Sequence, residues 1–255
     1  MSDPQPGGAE PRPSDQTLPA QGVTLRSLRD LASLRDFVPA AVPEPPSGPD
    51  TSLPRAVFPW LAARIGARRR DNLPLSEASL RGDVALGFAA QIGEAFVWPE
   101  ALYEGENGPR LNLLIRPPES KPAIAVACQF PRRANPGQLP ATARQFGDLL
   151  RDSLRLSRSF GEKGLPVQVL LCTDEFRSYL STLRPPLRIL RPDVAGTEVR
   201  VELLLNALDD GTLTRLADSL TEQHTTLHLA LDVLGYAPVG PLHLGMWRVI
   251  EARIF

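Results

Sequence analysis

Two of the chain's three histidines, His224 and His228, stand four residues apart, and Asp232 follows four residues later. On a helix that spacing lines all three along one side, the geometry of a metal-ligand ladder. Thr225 follows His224 where metal-assisted peptide hydrolysis would place a glutamate base, so the spacing implies a ligand set without that chemistry. A second constellation is basic. Between residues 132 and 163 there are seven Arg or Lys and three Asp or Glu, a net of +4 in a chain whose total is -1. Arg132 and Arg133 follow one apolar run, and Arg144, Arg151, Arg155 and Arg158 recur along the next helical stretch. Arginine forks match phosphate geometry, so this stripe is the expected surface for a nucleic-acid backbone or an acidic partner. Aromatic residues do not interleave with the arginines, which argues against base stacking on single strands. The two cysteines, Cys128 and Cys172, sit inside apolar runs. They are expected as buried free thiols, poor nucleophiles because burial disfavours the thiolate.

These groups need elements to hold them. The leucines at 213, 216, 220, 227, 231 and 234 recur at helical spacing and predict a long helix over 212–234 that would carry the histidine ladder. Phe146, Leu149, Leu150, Leu154 and Phe160 predict a helix over 142–160 with its arginines on the opposite, exposed face. Strongly apolar runs at 123–130 and 166–173 are expected as strands buried on both sheet faces. With the helix between them they form a βαβ unit with parallel strands and a right-handed crossover. Cys128 and Cys172 are expected at a similar height in that sheet. Further strands are predicted at 96–98, 111–116, 198–205 and 246–255. Further helices are predicted at 76–96 and 175–183, with a short one through Phe58, Trp60, Leu61 and Ile65 ending at Arg68, Arg69 and Arg70.

The run Arg110-Leu111-Asn112-Leu113-Leu114-Ile115, a turn, and then Ala123-Ile124-Ala125-Val126-Ala127-Cys128-Gln129 resembles the core of the PD-(D/E)XK nuclease superfamily. That family reads roughly R-x-D-L-V-I, then I-A-I-E-L-K, followed by an amphipathic helix and another apolar strand. The resemblance extends over roughly residues 76–180 and implies a restriction-endonuclease-like core. The catalytic positions depart from the pattern. Asn112 stands for the metal-binding aspartate, Ala127 for the second acid and Gln129 for the lysine. The family's chemistry needs two carboxylates around a divalent metal and a cation beside the attacking water. A degenerate member without catalytic residues is therefore what the resemblance implies.

Residues 1–53 are rich in Pro, Gly, Ser and Asp, and are expected to form a disordered tail ahead of a single α/β domain over 54–255. Near 24–38 a repeated Ser-Leu-Arg-Asp motif predicts a short amphipathic helix, with Leu28, Leu31, Leu34 and Phe37 as its partner-binding side chains. The expected fold class is α/β: a mixed central sheet with a parallel βαβ unit, flanked by helices. Nucleotide-binding glycine motifs, paired CxxC motifs, a signal-peptide layout and long apolar spans are absent from the sequence, so no cofactor and no membrane partner are expected, and the cytoplasm is the expected compartment. Three functions fit these features. The first is a non-catalytic binder of DNA in maintenance or defence, acting through the basic helix. The second is a protein-interaction or assembly factor acting through the tail. The third is a metal-dependent hydrolase using His224 and His228.

Overall fold

A seven-stranded mixed sheet organises the chain. The structure is a computed structural model, and it describes residues 50–99, 111–118, 121–130, 141–221 and 223–255. These belong to one compact unit, Ser47–Phe255. The tail motif of Leu28, Leu31, Leu34 and Phe37, and the pair Arg132 and Arg133, lie outside the described residues.

The chain enters through α1 (Ser52–Arg70) and α2 (Glu77–Ile92). Ser76 caps α2 with a reciprocal pair of bonds to Ser79, which satisfies two amides left orphaned at the helix start. Val57, Phe58, Leu61 and Ile65 of α1 and Leu80, Val84 and Phe88 of α2 recur at helical spacing and are buried together on one face of the sheet. Strands β1 (Val97–Pro99), β2 (Leu113–Ile115) and β3 (Ala123–Gln129) then pair antiparallel in sequence order. Helix α3 (Ala141–Phe160) crosses the opposite face and returns the chain to β4 (Gly164–Thr173), parallel to β3. The parallel unit expected over 123–173 is thus present. Both its strands are apolar along nearly their whole length because helices cover both faces. Helix α4 (Asp174–Thr182), edge strand β5 (Glu198–Leu204) and helix α5 (Asp210–Leu216) follow, and the long hairpin of β6 (Thr226–Val239) and β7 (Leu242–Ile254) closes the sheet in the order β1-β2-β3-β4-β7-β6-β5.

The helix expected over 212–234 does not form. It is replaced by the short α5, a 3-10 turn at Ala217–Ser219 and strand β6. The leucines there satisfy two periods at once. Leu227, Leu229, Leu231 and Val233 also alternate, and all four are buried on the α3 side of the sheet. Pairing with β5 and β7 selects the period of two. The register shifts between Val233 and Gly235. At Gly235 the ring of Phe58 from α1 lies where a side chain would stand, 2.3 Å from an ideal Cβ, so glycine is what admits that approach.

The cysteines are both free and buried, as expected, but not level. Cys128 pairs in register with Val169, three residues before Cys172, and the two thiols enter opposite faces of the sheet. No helix among the described residues is long and apolar enough to cross a membrane.

Candidate functional site

Of the three positions singled out, Ala127 and Gln129 lie beside α3, and Asn112 reaches the backbone between them. Ala127 faces the α3 core, and Gln129, two residues on, shares its face by the strand alternation. Asn112 stands just before the paired segment of β2, and its Oδ1 accepts the backbone N–H of Cys128 at 2.5 Å. The side chain thereby extends the β2–β3 ladder one step beyond its backbone pairing. Gln129 is buried, and its Nε2 donates to Oδ2 of Asp152 on α3 at 2.9 Å. Asp152 is a member of this cluster that sequence reasoning missed. Burial pushes its carboxyl above the usual carboxylate range, opposed by the Gln129 hydrogen bond and by the neighbouring Arg151. A divalent ion does not fit this donor set. Asn112 already spends its oxygen on a backbone amide, Ala127 offers no donor, and Gln129 directs a donor rather than an acceptor at the one carboxylate. Among the described residues no group of three or more His, Cys, Asp and Glu is placed to hold a metal.

The arginine face of α3 differs from the exposed stripe that periodicity predicts. Phe146, Leu149, Leu150, Leu154 and Phe160 are buried as expected, but Gly147 and Asp148 on another flank are buried as well. The cause is α5. A Cβ on Gly147 would lie 2.6 Å from Cβ of Arg215 and 2.8 Å from the Thr212 carbonyl oxygen, and Thr212 Oγ1 donates to the Ala143 carbonyl at 3.0 Å. Asp148 is in turn ion-paired with Arg151 at 3.0 Å and lies 3.5 Å from Arg215, so Arg151 is turned into the structure. Arg144, Arg151 and Arg155 are half-buried, and only Arg158 of the four is exposed.

The histidine ladder is overturned with its helix. His224 precedes β6, and its Nδ1 accepts the Thr221 amide at 2.9 Å. His228 lies on β6, with Nε2 3.5 Å from a Glu202 oxygen and its ring against Phe255 at 4.7 Å. Asp232 binds Arg55 at 3.0 Å. On a strand, four residues span about 13 Å, which separates His228 from Asp232 beyond any shared ligand.

His243, which the sequence left unplaced, is the histidine with a built environment. It is buried opposite Cys172 in the β4–β7 pairing. Its Nδ1 is 2.8 Å from the Tyr236 hydroxyl and its Nε2 is 2.8 Å from Asp174 Oδ1. The His243 hydrogen bond is the leading reason why the Asp174 carboxyl lies below the usual range. Both ring nitrogens are engaged, so the imidazole has no free position from which to take a proton from Cys172, whose thiol burial pushes up to about 12. The arrangement anchors the start of α4 to the sheet. A second polar network is fully internal: Gln168 Oε1 accepts from Trp247 Nε1 at 2.8 Å and from Ser153 Oγ at 2.9 Å, and Gln168 Nε2 donates to the Leu149 carbonyl. These bonds fix α3 on the sheet, since a buried polar group without a partner would be costly. Comparison of the chain with protein-family models, with curated proteins and with solved structures found no match.

Proposed function

We propose that this chain is a non-catalytic binding protein on a degenerate nuclease-like core, with nucleic acid as its partner. The carrying observation is the fate of two of the three residues that the motif resemblance singles out. Asn112 is used to extend the sheet ladder and Gln129 to satisfy the half-buried Asp152, so both serve the fold rather than a metal. The order of helix, three antiparallel strands, crossing helix and parallel strand supports the nuclease-like reading, being the layout implied by the motif resemblance. Arg158, which is exposed, and the half-buried Arg155 one turn before it support a phosphate-facing surface.

The test is binding of labelled duplex and single-stranded oligonucleotides to the full chain across about 50 to 200 mM salt, with and without magnesium or manganese. Phosphate contacts give an affinity that falls by roughly 0.9 log units per contact for each tenfold rise in salt on duplex. The expected result is salt-dependent binding without cleavage in either metal. Metal-dependent cleavage would overturn the non-catalytic reading, and weak binding that ignores salt would overturn the nucleic-acid reading. A protein partner is the second reading, favoured by one observation: Arg151 is committed to Asp148 instead of facing solvent.

A further inference from the structure

A cavity of about 190 Å³ lies outside the β2–β3 cluster, between α4, with Arg177 and Leu180, and the loop that follows, with Leu187, Arg188, Leu190 and Arg191. Its lining carries three arginines and no acid. Its apolar side is formed by Leu180, Leu187 and Leu190, all buried. The loop is held at both ends of this stretch. The Leu187 amide donates to the Leu180 carbonyl at 3.0 Å, and Leu190 packs against Gly245 of β7, where an added Cβ would lie 2.6 Å from its Cδ2. Leu187 and Ile189 are buried on either side of Arg188, so Arg188 is the residue of that triplet turned outward. The arginine backbones are therefore placed by core packing.

The acids nearby leave most of the donors available. Asp174 takes Nη2 of Arg177 at 3.1 Å and Asp193 takes Nε of Arg191 at 2.9 Å, each in an exposed pair. Such pairs contribute little and exchange readily, and each guanidinium has five N–H donors. Arg188 makes no ion pair among the described residues. Three arginines around a small concave space are suited to a tetrahedral oxyanion, which accepts several charge-assisted bonds at once. The volume falls below the roughly 300 Å³ at which pockets for whole drug-sized ligands begin. It suits a single phosphate group whose remaining structure stays outside.

We propose that this pocket is a phosphate-binding site formed by Arg177, Arg188 and Arg191, taking the phosphate of a nucleic-acid backbone or of a small phosphoester. In its nucleic-acid form the inference rests on the binding function proposed above; in its small-phosphoester form it stands without it. The test compares the full-length wild type with Arg188→Gln/Arg191→Gln, and with Arg253→Gln as an exposed arginine at the far end of β7. The probes are inorganic phosphate, a nucleoside monophosphate and a duplex oligonucleotide. Binding of the two small probes is followed by NMR shifts and that of the duplex by anisotropy.

If the source is a backbone, the double variant weakens duplex binding by about tenfold or more and lowers the salt slope by up to about two, while Arg253→Gln changes neither. If the wild type ignores the duplex but phosphate or the monophosphate shifts resonances of the pocket, and the double variant abolishes those shifts, the site stands and the nucleic-acid reading falls. Arg188→Lys retains charge but loses the fork, and its affinity should lie between the two. Equal binding of every probe by wild type and double variant overturns the site, as does an equal loss in Arg253→Gln, which would reflect overall charge. Circular dichroism of each variant separates these results from unfolding.

Discussion

Replacing Arg68 by methionine should destabilise the domain by about 3 kcal/mol, because it strands a buried carboxylate. Asp83 on α2 is fully buried, with 0% of its side chain exposed. Arg68 on α1 reaches it through both sides of its fork, Nε to Oδ2 at 2.5 Å and Nη2 to Oδ1 at 3.0 Å. Arg64 contributes a longer contact at 3.4 Å from a side chain 36% exposed. Removing one partner of a buried pair costs about 3–5 kcal/mol, and Arg64 remains to offset part of it, which selects the lower end. For a domain of this size each kcal/mol moves Tm by about 2–4 °C, so the loss should be about 6–12 °C. Arg64→Met should cost less than about 1 kcal/mol, as expected of a half-exposed pair. Converting the whole pair, Arg68→Met with Asp83→Leu, should recover most of the loss, since no charge is then left buried. Thermal and urea denaturation of the four proteins checks all three statements. If Arg68→Met is no more harmful than Arg64→Met, or if the paired replacement is worse than Arg68→Met alone, the clamp does not hold α1 to α2 and the reasoning fails.

Gly147→Ala tests the docking of α5 on α3. Alanine gains about 1 kcal/mol in helix propensity, while forcing a methyl against Arg215 and the Thr212 carbonyl costs about 1–3 kcal/mol, so the expected result in urea denaturation is a net loss of up to about 2 kcal/mol. A gain of the full propensity value would show that the helices do not meet. Asp152→Asn tests the half-buried carboxyl beside Gln129. Because burial raises the folded-state pKa, the folded protein holds this proton more tightly than the unfolded chain. The stability it contributes is present below the unfolded value, about 3.9, and is lost as pH rises through the folded value. Asparagine mimics the protonated form, so the variant should gain stability relative to wild type between about pH 3 and pH 7. A stability difference that stays constant across that range would contradict the assignment.

The α/β class and the parallel unit over 123–173 were legible because their signals are local. β3 and β4 are apolar runs buried on both faces, and the stripe from Phe146 to Phe160 fits a helix and no strand. Neighbouring side chains along one element record which side faces water, and that is written in the sequence itself. The region around β6 was not legible, because Leu227 and Leu231 satisfy both the helical and the strand period, and only pairing with β5 and β7 decides between them. The same limit governs the site. Asn112, Ala127 and Gln129 stood out in the sequence only through a motif resemblance, and the Asp152 partner of Gln129 lies 23 residues away on a helix face. His243 finds Asp174 across 69 residues, and Arg151 turns inward because α5 covers a flank that periodicity marked as exposed. Sequence periodicity reports that a face is polar, whereas whether solvent, an acid or another helix meets it is set by contacts between residues far apart in the chain. Those contacts exist only once the sheet has brought α3, α5 and the β6–β7 hairpin together.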